Sequence, residues 1–385
     1  MTQVIFTERC DYMKVIAAID SFKGSMTSME AGNAVKKGIL AAKPDAEVWL
    51  SPLADGGEGT VDALIEGLGA EKIPVTVAGP LGEKVSCYYG FLEETKTAVM
   101  EMASAAGITL VTKKDPLRAS TYGVGEMIAD ALKRGCKNFM IGIGGSATND
   151  GGIGMLKALG FEFFDEDGND VGEGAAALAK IEVIRTENKN PLLSGTKFQI
   201  ACDVKNPLCG KQGATYIFGP QKGVTEEQKE QVDEAMRHYA DVTKESLDCD
   251  FADCEGAGAA GGLGYAFLSY LAGELIPGVE LILQATGLEE KMKNADVVVT
   301  GEGRLDAQTV MGKAPAGVAA LAKKYNAKVI AFAGSVAPEA KVCNRAGIDA
   351  FFPIVRGVTT LEEAMKKENA MENIAATAEQ VFRLL

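Results

Sequence analysis

Lys14-Val15-Ile16-Ala17-Ala18-Ile19-Asp20 is a short apolar run, rich in β-branched residues, that stops on an acid. Runs of this kind read as buried strands. Thr27 to Ala42 then carries helical periodicity, and Glu47 to Leu53 is a second strand ending near Asp55. The three pieces make a βαβ unit, which is too short to bury a sheet alone. The missing strands lie at the far end of the chain, at Asp296 to Thr300, Lys328 to Ala333 and Ala350 to Ile354. Helices from Pro315 to Lys324 and near Pro338 to Ala346 alternate with them, and a last helix from Thr360 to Leu385 closes the chain. The pattern predicts an α/β domain with a doubly wound parallel sheet formed by both termini, residues 13–58 plus 293–385.

The middle, residues 59–292, has a different texture. Ile73 to Val77, Lys84 to Phe91 and Thr97 to Ala103 are neighbouring short strands joined by turns such as Gly79-Pro80-Leu81-Gly82, which suits an antiparallel or mixed sheet. Helical periodicity follows at Thr121 to Arg134, Asn149 to Leu159, Thr225 to Ser246 and Gly262 to Ala272, with apolar strands at Phe139 to Ile143 and Phe198 to Asp203. The insertion is therefore a second α/β domain of mixed sheet. A chain of 385 residues exceeds the size at which one core stops growing, so two domains are expected on length as well. Residues 1–12 read as an N-terminal extension that the fold does not need, because Met13-Lys14 directly precedes the first strand.

Composition narrows the function. With 39 basic and 53 acidic residues the formal charge is −14, which argues against a nucleic-acid surface or an anionic membrane as partner. An anionic small molecule must then meet a local basic patch. Lys23, Lys205, Lys211, Lys222, Arg304 and Lys313 lie in or beside glycine-containing loops, although each taken alone reads as a solvated surface cation. The eight cysteines are scattered without C-x2-C spacing and His238 is the only histidine, so a zinc site or a histidine-based triad does not fit. Reduced thiols, no secretory signal and no stretch of transmembrane length point to a cytoplasmic protein.

The chemistry concentrates in four polar segments. Ile141-Gly142-Ile143-Gly144-Gly145-Ser146-Ala147-Thr148-Asn149-Asp150-Gly151-Gly152 puts a dense glycine turn after an apolar strand, a place to hold phosphate oxygens on backbone N–H groups. The others are Asp20-Ser21-Phe22-Lys23-Gly24-Ser25, Asp55-Gly56-Gly57-Glu58-Gly59-Thr60 and Thr300-Gly301-Glu302-Gly303-Arg304-Leu305-Asp306. Asp20, Asp55, Asp203 and Glu302 each fall at or just beyond the C-terminal end of an expected strand, where open α/β sheets bind ligands, so a cleft between the two domains is expected. Turn preference alone explains an Asp or Gly there; it explains the accompanying Lys23, Arg304 and Lys313 poorly. Gly142-Ile143-Gly144-Gly145-Ser146-Ala147 also fits a dinucleotide fingerprint, with Phe161 to Asp165 as a conceivable second strand, so an NAD-dependent oxidoreductase of a small hydroxy acid is the alternative. A nucleotide-binding regulator without turnover is a third reading.

Read as a set, the first three of these segments resemble the bacterial glycerate kinase family. The resemblance continues in the same order through Ala201-Cys202-Asp203-Val204, Phe218-Gly219-Pro220-Gln221-Lys222-Gly223, Gly258-Ala259-Ala260-Gly261-Gly262-Leu263-Gly264, and the Thr300 to Asp306 segment with Gln308-Thr309 and Gly312-Lys313. It implies a flavodoxin-like domain from both termini with an inserted α/β domain, and ATP-dependent transfer of phosphate to D-glycerate with Mg2+, mainly at the 2-hydroxyl. On this reading Asp203 is the base, with Asp306 as alternative, and Lys23 and Arg304 neutralise the glycerate carboxylate or the transferring phosphoryl. Gly144, Gly145, Ser146 and Asn149, with Gly261, Gly262 and Lys313, hold the nucleotide. Asp20, Ser21, Asp55, Gly56, Gly57 and Asn206 are assigned to the substrate, and Asp150 and Glu302 to the metal, with Asp20 and Asp55 as further carboxylates that could carry it.

Overall fold

The computed structural model describes residues 12–53 and 60–385. Asp55, Gly56 and Gly57 lie outside the described residues, as does the extension before Tyr12. Thirteen strands are described: β1 (Lys14–Ala17), β2 (Glu47–Leu50), β3 (Glu71–Ala78), β4 (Lys84–Leu92), β5 (Thr97–Glu101), β6 (Asn138–Gly142) and β7 (Glu162–Phe164), then β8 (Val183–Arg185), β9 (Lys197–Ala201), β10 (Glu274–Ile276), β11 (Val297–Leu305), β12 (Lys328–Val336) and β13 (Ala350–Pro353). The chain divides into two compact units, one of residues up to 53 with 283–385, the other of residues 54–282.

In the first unit the sheet order is β13-β12-β11-β1-β2, with every neighbouring pair parallel. Counted along this unit alone, that is the 2-1-3-4-5 order of flavodoxin-like folds, whose switch point lies between the first and third strands, here β1 and β11. Val15, Ala17, Val297, Val299, Ile330 and Phe332 form one core with Val35 and Ile39 of the helix Ser28–Ala42 and Ile374 and Phe382 of the helix Lys367–Phe382. The alternate residues Ile16, Val298, Val329 and Ala331 are equally buried, as a sheet covered on both faces requires.

Local chemistry sets the helix boundaries. Thr27 and Glu30 form a reciprocal capping box at the start of Ser28–Ala42. That helix lies against Lys367–Phe382 at Gly38, where an added Cβ would stand 2.0 Å from the Ala375 carbonyl oxygen. Gly38→Val is therefore expected to lower stability by about 1–3 kcal/mol through overpacking. A urea midpoint equal to that of the wild type would mean that the two helices yield freely at this crossing.

The second unit carries a six-stranded sheet in the order β10-β9-β6-β5-β4-β3. The pairs β3–β4 and β4–β5 are antiparallel, and β5–β6, β6–β9 and β9–β10 are parallel, so the sheet is mixed. Its core is rich in aromatics: Phe139 of β6 stacks on Phe198 of β9 at 4.7 Å, and Tyr239, Tyr265 and Tyr270 cluster behind them.

Several elements differ from the sequence reading, among them three in segments singled out above. The segment Thr300 to Asp306 is expected as a loop, but β11 continues to Leu305 and pairs with β12 as far as Leu305↔Val336. The helix expected from Asn149 begins only at Ile153, because Gly151 and Gly152 take left-handed φ values of +60° and +79° and end the turn before it. The last helix is two, Leu361–Met365 and Lys367–Phe382, separated by an extended Lys366 with ψ 130°.

Candidate active site

In the second unit, β6 and β9 run parallel with Gly142 opposite Ala201, so the chain leaving each strand emerges side by side. Ile143-Gly144-Gly145-Ser146 follows β6 and Cys202-Asp203-Val204 follows β9. Together with Lys222 they line a cavity of about 380 Å3, whose wall is completed by Ile108, Phe218, Gln221, Ala259 and Ala260. Gly144 and Gly145 are exposed whereas Ser146 is buried. The turn is held from behind, since Ile108 N–H donates to the Gly145 carbonyl (2.8 Å) and Ala147 N–H to the Ala106 carbonyl (2.9 Å). Asp203 is exposed, and its Oδ1 accepts the N–H of Gly278 (2.9 Å), the first residue of the helix Gly278–Ala285. A helix N-terminus suits a negative charge.

Beneath the turn lies a buried acid and a buried base. Asp150 is fully buried; its Oδ2 accepts from the Thr121 N–H (2.8 Å), the Thr121 hydroxyl (2.8 Å) and the Gly154 N–H (3.3 Å), and its Oδ1 from the Gly152 N–H (3.2 Å). Burial raises its pKa against the pull of these donors. Lys222 is 2 % exposed and its ammonium donates to the Thr148 carbonyl at 2.7 Å. Burial pushes this ammonium down to about 7, with the Asp150 charge acting in the opposite direction. Between that value and the ordinary lysine value the unfolded chain binds a proton that the folded chain lacks, so the contribution of Lys222 to stability rises with pH across the window. The urea midpoint of the wild type is thus expected to climb relative to that of Lys222→Met from about pH 7 to about pH 9; parallel profiles would assign the slope to other groups.

In the first unit the residues expected to be functional gather at the β1/β11 switch point. Asp20 N–H donates to the Gly301 carbonyl (2.9 Å), which ties the loop after β1 to β11, and Asp20 Oδ1 accepts the Ser21 N–H at 2.7 Å. Glu302 is 7 % exposed; its Oε1 accepts the hydroxyl of buried Thr309 (2.6 Å) and its Oε2 lies 3.8 Å from Lys313 Nζ. Thr309 Oγ1 in turn accepts the Asp306 N–H at 3.2 Å. Asp306 Oδ1 accepts the Gln308 N–H (2.8 Å), and its Oδ2 lies 3.6 Å from Nε of Arg304, a side chain that stays 67 % exposed. Glu302, Arg304, Asp306 and Lys313 therefore form one linked set, with Thr309 at its centre.

The expected residues thus fall into distinct groups. Gly144, Gly145, Ser146 and Asp203 share the cavity of the second unit; Asp20, Ser21, Glu302, Arg304, Asp306 and Lys313 belong to the switch point of the first, and exposed Lys23 to the loop after β1. Asn149, Gly261 and Gly262 do not line the cavity. Asn149 is fully buried and donates to Thr215 Oγ1 (3.0 Å), while Gly261 accepts the Gly151 N–H (2.9 Å) so closely that a Cβ there would stand 2.2 Å from the Thr148 oxygen. They shape the turn that carries Gly144 to Ser146. Asn206 braces the chain after Asp203, its side-chain amide donating to the Gln212 carbonyl at 2.7 Å.

Lys222, Phe218 and Gln221 are cavity residues that the reading by roles passed over. The signal was the segment Phe218 to Gly223, and the burial of Lys222 corrects its reading as a solvated cation. Among the described residues no group of three or more His, Cys, Asp or Glu side chains is gathered as a metal site. Asp150 does not fit a magnesium ion, because four protein donors already occupy its oxygens. Glu302, oriented by the Thr309 hydroxyl, fits the chemistry of a metal ligand, and an ion carried by nucleotide phosphates needs only one or two carboxylates. Among the described residues no helix is long and apolar enough to cross a membrane.

The profile of the Glycerate kinase family matches residues 15–385. The chain is 45% identical over 371 residues to "Glycerate kinase" of Bacillus subtilis (strain 168), covering 96% of this chain and 97% of that protein. It is likewise 45% identical over 372 residues to "Glycerate 2-kinase" of Escherichia coli (strain K12), covering 95% and 98%. A crystal structure described as glycerate kinase 2 from Salmonella typhimurium LT2 superposes with a TM-score of 0.89 at 42% identity, over 97% of this chain and 98% of that one. The chain belongs to the glycerate kinase family.

Proposed function

We propose that this enzyme transfers the γ-phosphoryl group of ATP to the 2-hydroxyl of D-glycerate, releasing ADP and 2-phosphoglycerate. The observation that carries the reading is the cavity of the second unit, where an exposed Gly-Gly turn, a serine, a lysine and an aspartate converge. Phosphoryl transfer asks a protein for donors and cations on the phosphate and a carboxylate for the hydroxyl proton, and those are the groups present. The name of the Escherichia coli relative favours the 2-hydroxyl.

In this scheme Gly144, Gly145 and Ser146 cradle phosphate oxygens, and Asp203 accepts the substrate hydroxyl proton as that oxygen attacks phosphorus and ADP departs. Arg304 and Lys23 neutralise the glycerate carboxylate; Asp20, Ser21, Asp55, Gly56 and Gly57 bind the substrate's hydroxyls, with Asn206 bracing Asp203. Lys313 and Glu302 serve the nucleotide and its magnesium, which when bound neutralises charge on the phosphates. Asp306 orients Arg304 and is the second choice as base. The NAD-dependent alternative loses its footing because β7 pairs with β8, antiparallel, in a separate two-stranded sheet and not as the second strand of a dinucleotide fold.

Coupled measurement of ADP release tests the proposal: release that depends on D-glycerate, with 31P NMR showing a 2-phosphate ester, is the expected result. No glycerate-dependent ADP, or reduction of NAD in its place, would overturn it. Arg304→Lys is expected to raise the KM for glycerate by about tenfold or more with a smaller change in kcat, since lysine cannot reproduce a two-point grip on a carboxylate. An unchanged KM would place Arg304 outside the substrate site.

A further inference from the structure

Lys222 is costly to the folded protein on its own. A charge at 2 % exposure, held by a neutral carbonyl, forfeits most of its hydration, and an apolar side chain of the same length would be the more stable filling. The nearby Asp150 carboxylate compensates by its charge alone, because its oxygens accept their hydrogen bonds from Thr121, Gly152 and Gly154. The ammonium has three N–H groups, and the Thr148 carbonyl uses one. Among the described residues lining the 380 Å3 cavity it is also the only Lys or Arg side chain.

We infer that Lys222 is the phosphate-binding cation of the second unit, directing its ammonium to the terminal phosphoryl oxygens of ATP while keeping its bond to the Thr148 carbonyl. The assignment rests on the kinase reading above and adds a residue to it. The Thr148 bond aims the side chain: Thr148 lies two residues beyond Ser146, so the turn that offers backbone to the phosphate also holds the lysine that meets it. An arriving phosphate adds a directly hydrogen-bonded opposite charge to the one that Asp150 supplies from nearby, so binding energy is concentrated on the phosphoryl group. The depressed ammonium pKa accords with a site prepared for an anion. Among the described residues the other titratable groups facing the cavity are Asp203 and Cys202, whose thiol burial pushes up in pKa.

The wild-type protein treated with an acyl phosphate of ATP gives the first test. A lysine amine beside the terminal phosphate attacks the acyl carbonyl, an amide forms and ATP leaves; peptide mass spectrometry is expected to find the acyl group on Lys222, suppressed at least tenfold by excess ATP. Labelling confined to other lysines would overturn the inference. Calorimetry on Lys222→Met supplies the second: the Kd for ATP is expected to rise tenfold or more, the Kd for AMP to stay within threefold, and Lys222→Arg to recover part of the loss. Equal weakening of ATP and AMP would make Lys222 a structural residue, and a loss of glycerate affinity with ATP unaffected would move it off the nucleotide. If ATP binds as expected and D-glycerate is not turned over, the substrate assignment fails and this one stands.

Discussion

Asp203→Asn is expected to lower kcat by roughly 10^2- to 10^4-fold, the range for loss of a general base, while ATP affinity and the urea midpoint stay near those of the wild type. The separation follows from what the side chain touches. Asp203 Oδ1 accepts the Gly278 N–H at the start of a helix, and the asparagine carbonyl oxygen can accept the same bond, so the local fold keeps its cap. The capacity to take a proton disappears. Asp203 is exposed on the cavity that Gly144, Gly145 and Lys222 also line, so a hydroxyl brought to a phosphate there has this carboxylate within the same walls. Asp306 is the control: its Oδ1 is spent on Gln308 N–H and its Oδ2 faces Arg304, so Asp306→Asn should act mainly on the glycerate KM. Near-normal turnover by Asp203→Asn with a collapsed kcat in Asp306→Asn would exchange the two roles.

The parallel domain was legible because its strands are continuous apolar runs, the signature of strands buried on both faces. Val15 to Ala17, Val297 to Val299 and Val329 to Ala331 pair as neighbouring parallel strands, as a parallel domain built from both ends of the chain requires. What periodicity missed is where pairing ends. Gly301, Glu302, Gly303 and Arg304 read as a turn by composition, yet the β12 edge offers hydrogen-bond partners as far as Val336, and a ladder already begun continues over residues of low strand propensity. The same motif thereby acquires rigidity: Glu302 and Arg304 project from a strand in place of a flexible loop.

At the candidate site, residue type was legible and depth was not. Gly144, Gly145, Ser146 and Asp203 are adjacent because β6 and β9 are adjacent; the sequence marked each as polar residues after an apolar run, but not that the two runs pair. Asn149 and Asp150 carry the same polar letters but point into protein, toward Thr215 and Thr121. No local signal distinguishes a polar side chain that serves a ligand from one that serves the backbone of its own turn. Lys222 shows the converse, since a lysine beside a glycine reads as solvated until the fold closes over it.

Asp150→Ala is expected to be the most destabilising single change among these residues, costing about 3–5 kcal/mol, the range for breaking a buried charge arrangement by removing one partner. Two costs add. The N–H groups of Thr121, Gly152 and Gly154 and the Thr121 hydroxyl lose their acceptor in a place water does not reach, and Lys222 loses the nearby opposite charge. Asparagine is little better, because its amide would present N–H groups to a ring of donors. The urea midpoint should fall with an unchanged m-value, since the surface exposed on unfolding stays the same. The double variant Asp150→Ala with Lys222→Met should recover part of the loss, for it removes the stranded cation together with its partner. A fully additive double variant would show that the two charges are not coupled, and that Asp150 acts through its hydrogen bonds alone.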